Sequence, residues 1–426
     1  MDKFKEIPDK MQCPCGSGKL YEKCCKKKNF KFGYNGKEIV KQIPIHEELI
    51  PVLEETRTQF TEYYGRAPGS KDYVMAFAPI YNDDLLLQTM YLFRKIGFPE
   101  NKIYAYYKSD GLFPCDLNVD LLPETEIKEF SSLCKEYDDC ISGDVEGDQH
   151  INAIKYVMAS NSYIEEQVDY VVESIISALN DFIRRHSENT PILEYQIANE
   201  LDYCIFSALK TVKTLQSVIH LKENHLAECI YALSRGIFEN YMYMCNINSD
   251  PALFYDKLLP KVDEENYTFA KRSDGKIDFR SVINRHTGKK TSVRISISDL
   301  KEKQPYDTDR DLYAIFYQTA CQYVHVDIMS AKSYFSVANP YDEIDRSLIA
   351  ALITLILAEL LLLQISQNTN VLQQYKNDIL FLCANNLNSR LAACLKIANN
   401  DPEHQNVILE LLLKRMKEQF PDLDNA

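Results

Sequence analysis

A chain of 426 residues with 46% hydrophobic content is long enough for two or three domains and rich enough for a sizeable core. Only 13 Gly and 16 Pro among long Leu- and Ile-rich amphipathic stretches point to a mostly α architecture, and no fixed-period repeat runs through it. The net charge of −14 is uneven: residues 1–31 carry +5, residues 271–303 carry +6 and the remainder carries −25. Two basic islands on an acidic body suit an anionic partner, nucleic acid included, although solvated loops account for them equally well.

The chain opens basic and polar, without the apolar segment of a secretory signal. Its most specific stretch follows, Cys13-Pro-Cys15-Gly-Ser-Gly-Lys-Leu-Tyr-Glu-Lys-Cys24-Cys25. In a reduced compartment four thiols at such spacings are metal ligands rather than disulfides, and four thiolates select tetrahedral zinc. Gly16, Ser17 and Gly18 supply the turn that lets backbone N–H groups face the sulfurs. Lys19, Lys23, Lys26, Lys27 and Lys28 offset the net charge of about −2 on such a site. The nine other cysteines are scattered singly, as buried thiols in a cytoplasmic protein would be.

Cys13, Cys15, Cys24 and Cys25, with Pro14, Gly16, Ser17, Gly18, Lys19 and Tyr21 around them, resemble the SEC-C motif, the zinc knuckle at the C-terminus of the SecA translocation ATPase. Cys25 stands where that motif often has histidine. The resemblance covers thirteen residues and implies a small recognition module binding one Zn2+ and docking a protein or nucleoprotein partner. Nothing of the ATPase accompanies it, since no Gly-x-x-x-x-Gly-Lys-Ser/Thr loop occurs.

Helices are predicted over 46–64 and 83–96, and an extended segment ending in an Asp-Gly turn over 102–111. A further helix is expected over 124–138, and Ser142 to Asp148 reads as a linker. Beyond it a bundle is expected, with helices at 151–186, 191–222, 224–246, 308–336, 342–366, 371–398 and 403–418. Residues 271–303 interrupt it as a basic hairpin turning at Gly288, with Val293, Ile295 and Ile297 alternating. The organisation expected is therefore a zinc knuckle with a basic tail at 1–31, a helical N-terminal unit at 32–148, and a bundle at 149–426 carrying the insertion. Leu348 to Ile365 is long enough to span a membrane, but Glu359 would lie near the bilayer centre, so a buried central helix is predicted instead. Glu359 then requires a partner or a proton.

Two helices carry polar stripes. Glu228, Arg235 and Glu239 fall within about 40° of one another at 100° per residue, and Gln318, Gln322 and His325 share a face beside Cys321. Each stripe reads as a buried ion pair or satisfied core residue, or as the wall of a site in which Arg235, Glu239 and His325 meet as cation, carboxylate and titratable base. Arg235, Glu239, Val324 and His325 also resemble a family of uncharacterised bacterial helical proteins in which an Arg-x-x-x-Glu helix precedes one ending in Val-His or Lys-His. Cys321 replaces that family's usual serine. This resemblance implies an intracellular protein of unassigned activity, from a mobile or phage-defence setting.

Two functions compete. One is recognition of a protein or nucleoprotein partner through the zinc knuckle. The other is a metal-independent ribonuclease or toxin of the HEPN-like class, with His325 as acid or base, Arg235 stabilising phosphorane charge and the 271–303 segment gripping RNA. Against the second, neither of the two polar-striped helices carries an Arg-x(4–6)-His pair.

Overall fold

A computed structural model of the protein describes residues 4–28, 30–34, 36, 39–42, 96–115, 119, 122–142, 149–187, 197–325, 327–335, 341, 343–368, 378–400 and 406–421, with sixteen isolated positions between 54 and 94. The chain divides into two compact units, Met1–Ile151 and Asn152–Ala426.

The first unit opens with a small antiparallel sheet, β1 (Lys5–Glu6), β2 (Lys31–Tyr34) and β3 (Ile39–Gln42), in that order. Glu6 lies opposite Gly33, and Gly33 opposite Val40, so the strand pairing carries this unit to Gln42. Gly33 is required because a Cβ there would enter the Phe4 ring and approach the Lys5 carbonyl to 2.8 Å. Most of the helices predicted over 46–64 and 83–96, and linker residues 143–148, lie outside the described residues; Phe60 and Met90 within those helices are helical. Helices α1 (Glu100–Lys108) and α2 (Glu124–Ser142) complete the unit.

Helix α1 corrects the extended segment expected at 102–111. Its aromatic residues favour strands intrinsically, but packing overrides that preference. Tyr104 is buried against α2, its hydroxyl donating to Glu136 Oε1 at 2.8 Å and its ring 5.4 Å from that of Tyr137. The expected Asp-Gly turn does end it, with Asp110 at φ 54° and Gly111 at φ 89°.

The second unit is a helical bundle with α3 (Gln149–Ser187), α4 (Glu200–Glu223) and α5 (Ala227–Ser249). A sheet follows, then α6 (Ile297–Lys301), α7 (Asp307–Leu312), α8 (Gln318–Val324) and α9 (Ala331–Phe335). The chain then forms α10 (Arg346–Gln367), α11 (Asp378–Ala398) and α12 (Val407–Gln419). Capping sets several of these boundaries. The Asp202 amide donates to Asn199 Oδ1 at 3.1 Å while Asn199 donates back to Asp202, and Asp345 accepts from the Ser347 amide at 2.7 Å. His225, at φ 55°, separates α4 from α5.

Among the described residues α10 is the one helix long and apolar enough to cross a membrane, and 94% of its apolar window is buried by the bundle. It packs on α4, α5, α11 and α12, which is why it can be apolar on every side. Glu359 is fully buried on it, and neither carboxylate oxygen has a hydrogen-bond partner. Burial pushes its carboxyl well above the usual range, so a proton takes the place of the expected partner.

Elsewhere the core contains a fully buried ion pair, with Arg415 Nε donating to Asp309 Oδ1 at 3.0 Å. Tyr241 donates to both Asp309 oxygens at 3.0 and 2.8 Å, and the Arg415 guanidinium lies 3.5 Å from the centre of the Tyr306 ring.

The helix predicted over 308–336 is interrupted twice. Residues Tyr313–Tyr317 form a π-helical turn between α7 and α8, and α8 ends at Val324 because His325 is extended (φ −104°, ψ 156°). Asp327 then accepts from the Met329 amide and starts a new turn, so His325 leaves the helical face it was expected to share with Gln318 and Gln322.

The basic segment is a three-stranded antiparallel sheet, β4 (Tyr267–Lys271), β5 (Ile277–Asn284) and β6 (Lys290–Ser292). Gly288, at φ 65°, turns β5 into β6. The expected alternation beyond Val293 stops where Ser296 caps α6, which places Ile297 on a helix.

Candidate metal centre

The Cys13 amide donates to the Lys19 carbonyl and the Tyr21 amide to the Met11 carbonyl, both at 2.8 Å, pinching off the loop between the cysteine pairs. Gly16 (φ 80°) and Gly18 (φ 69°) turn it. No atom lies within 4 Å of where a Cβ would stand at either, so the requirement there is conformational and not steric. A 3-10 turn at Tyr21–Lys23, with the Cys24 amide on the Tyr21 carbonyl at 3.1 Å, returns the second cysteine pair to the first.

The four sulfurs of Cys13, Cys15, Cys24 and Cys25 all lie within 4.8 Å of one another. Cys15 and Cys24 are 3.5 Å apart, and Cys24 and Cys25 3.8 Å. Sulfurs on a tetrahedron with metal–sulfur bonds of about 2.3 Å stand about 3.8 Å apart, so the cluster can hold one metal ion with little adjustment. Four protein ligands would close its coordination shell.

Beneath the sulfurs is a minimal core of Ile7, Tyr21, Phe30 and Phe32, joined by Cys13 and Cys25 themselves. The Tyr21 hydroxyl donates to Glu6 Oε1 at 3.1 Å and accepts from the Phe32 amide at 3.3 Å, tying the loop to the sheet. Ser17, which sequence reasoning treated only as part of the turn, places its hydroxyl 3.2 Å from Cys15 Sγ and 3.1 Å from Cys24 Sγ. Burial raises the Cys13 and Cys25 thiols. At Cys15 burial pushes the same way, but hydrogen bonds with the Ser17 hydroxyl and amide and with the Cys13 and Cys24 sulfurs together hold that thiol at about 6. Among the lysines, Lys26 is bound to Asp9 at 2.5 Å and Lys19 lies 4.0 Å from Glu124. Lys23, Lys27 and Lys28 make no ion pair among the described residues.

In the bundle, Arg235 Nε donates to Glu239 Oε1 at 3.0 Å. The Tyr317 hydroxyl donates to the same oxygen at 2.9 Å, and the Arg235 guanidinium lies 5.4 Å from the Tyr317 ring centre. Burial and the Glu239 charge both push the Tyr317 hydroxyl upward. Tyr317 is the member that the sequence did not reveal, because it sits on the π-helical turn and a 3.6-residue period misplaces it. Arg235 and Glu239 thus come together, whereas His325 is exposed beyond the end of α8 and no hydrogen bond or ion pair joins its ring to either.

Fold and site together define a helical protein with a four-cysteine cluster, within residues 13–25, that could hold a metal ion. The model of a family of unknown function, DUF5677, matches residues 201–343. The matched third of the chain holds Arg235, Glu239, Tyr317 and His325, and the four cysteines lie outside it. No curated protein and no solved structure matches the chain.

Proposed function

We propose that this is a zinc-binding protein that recognises a protein or nucleoprotein partner through a SEC-C-like N-terminal unit, with the helical bundle as the body it positions. The observation that carries the reading is the convergence of four thiols on a unit with almost no other core. Four thiolates suit zinc, and a closed shell is structural, with no ligand position left for a reacting water. Leu20, bridged to Gln12 across the loop neck, and Met11 are exposed beside Lys10 and Lys23 and give the unit a mixed apolar and basic surface. A cytoplasmic setting belongs to the same reading, since the described cysteines are free thiols. The phage-defence setting rests on the second resemblance alone.

Elemental analysis of the purified protein should give one zinc per chain, and X-ray absorption should show four sulfurs at about 2.3 Å. A Cys24→Ser, Cys25→Ser variant retaining stoichiometric zinc would refute the assignment. A Met11→Ser, Leu20→Ser variant should keep its zinc but lose partner binding.

A further inference from the structure

We propose that the β4–β5–β6 sheet binds single-stranded nucleic acid, with Phe279 as the ring on which a base stacks and Lys271, Arg272, Arg280 and Arg294 as the phosphate contacts. The site is separate from the tetrathiol unit and does not depend on its role. Residues 267–294 hold eight Lys and Arg against two Asp, for +6, in a chain of net charge −14. The remainder therefore bears −20, and the sheet is a local cationic surface on an acidic body.

The strand pairing explains how an aromatic ring comes to stand among those charges. The register of β4 on β5 jumps: Phe269 lies opposite Val282, yet the next residue, Ala270, lies opposite Asp278. Residues 279–281 are therefore extruded from the pairing with β4 as a bulge, a device that re-aims side chains. Phe279 at its start is 65% exposed, its ring held in a T-shaped contact 5.2 Å from that of Phe269. So large an apolar side chain left in water adds little to the fold, whereas a ring fixed in orientation on a cationic sheet is what base stacking uses.

The strand register places four cations around Phe279 along the chain. Lys271 lies opposite Ile277, two residues before Phe279, and Arg272 begins the turn beyond it. Arg280 follows Phe279 directly, and the Val293 amide donates to the Arg280 carbonyl at 2.9 Å, which brings Arg294 alongside. All four are exposed, and none is in an ion pair among the described residues. The acid in their midst is already engaged: Asp278 accepts from the Arg280 amide at 3.2 Å and lies 4.0 Å from Lys290 Nζ. Three guanidinium forks and an ammonium fit phosphate oxygens, and a protruding ring distinguishes an unpaired base from one enclosed in a duplex.

Fluorescence anisotropy of the full chain with a labelled 12-nucleotide oligouridylate, a 12-base-pair duplex as control, and potassium chloride from 50 to 300 mM tests this. The single strand should bind more tightly than the duplex. Its log affinity should fall with log salt at a slope of about −3, the value for four phosphates at about −0.7 each. Phe279→Ala, and separately Arg272→Ala with Arg280→Ala, should each weaken binding about tenfold or more, while Phe279→Trp, which keeps a ring, should retain it. Cys24→Ser with Cys25→Ser should leave the affinity unchanged. Absence of binding at 50 mM salt, equal affinity for duplex, or indifference to Phe279→Ala would overturn the proposal. So would loss of binding in the cysteine variant, which would move the contact to the N-terminal unit. Sedimentation with phosphatidylserine vesicles without oligonucleotide binding would assign the sheet to a membrane surface instead.

Discussion

Among the described residues of 4–42 the buried apolar side chains are those of Ile7, Tyr21, Phe30 and Phe32 besides two cysteines, whereas α10 alone buries nineteen of its twenty-two residues. Ordering a residue's backbone costs about 1–2 kcal/mol, which four apolar side chains cannot offset for a segment of that length. The helical unit meets the same cost with a continuous apolar core. On the proposed zinc binding, one part of the chain is organised by coordination and the other by exclusion of water, and agents that disturb one should spare the other.

The largest effect expected is on removal of metal. Chelation, or Cys24→Ser with Cys25→Ser, should unfold residues 4–42 as a unit, visible as collapse of their amide NMR dispersion, while the helical circular dichroism and melting of the bundle persist. Simultaneous loss of both would show that the division between the two regions is wrong. Next is the buried ion pair. Asp309→Ala strands Arg415 in the core and should cost about 3–5 kcal/mol in urea unfolding without changing metal stoichiometry.

Glu359 gives a smaller effect of opposite sign. Replacing its unpartnered carboxyl by Leu should stabilise the bundle by about 1–3 kcal/mol at neutral pH. The folded state holds this proton to higher pH than the unfolded state, whose carboxyl titrates near 4.3. Stability therefore falls as pH rises above that value, and the advantage of Glu359→Leu should grow between pH 4 and pH 8. A constant or shrinking advantage would mean that the carboxyl is not held neutral. Smallest of all, Arg235→Ala removes a partly exposed pair and should cost under about 1 kcal/mol, less in high salt. His325→Ala should leave stability almost untouched, since the ring is solvent-exposed.

The four-cysteine cluster and the central helix were legible because each is a local signal: sulfurs within thirteen residues in one case, unbroken apolar sequence in the other. What escaped the sequence depends on contacts between distant residues. The aromatic run around Tyr104 is helical because α2 offers Glu136 and Tyr137, neither of which is a neighbour in sequence. Arg415 looks like an ordinary surface residue of an amphipathic helix until Asp309 and Tyr241 are placed against it. His325 was set on a helical face by a periodicity that two backbone irregularities, the π turn at Tyr313–Tyr317 and the extended residue after Val324, remove.

The position of α10 in the order of synthesis carries its own consequence. The helices that cover it include α11 and α12, which come after it along the chain. A growing polypeptide therefore displays about twenty apolar residues before their final cover exists, and during that interval it presents the features by which membrane segments and chaperone clients are distinguished from other sequence. Chains ending near residue 368 should aggregate or partition into membranes, whereas the full chain remains in the soluble fraction.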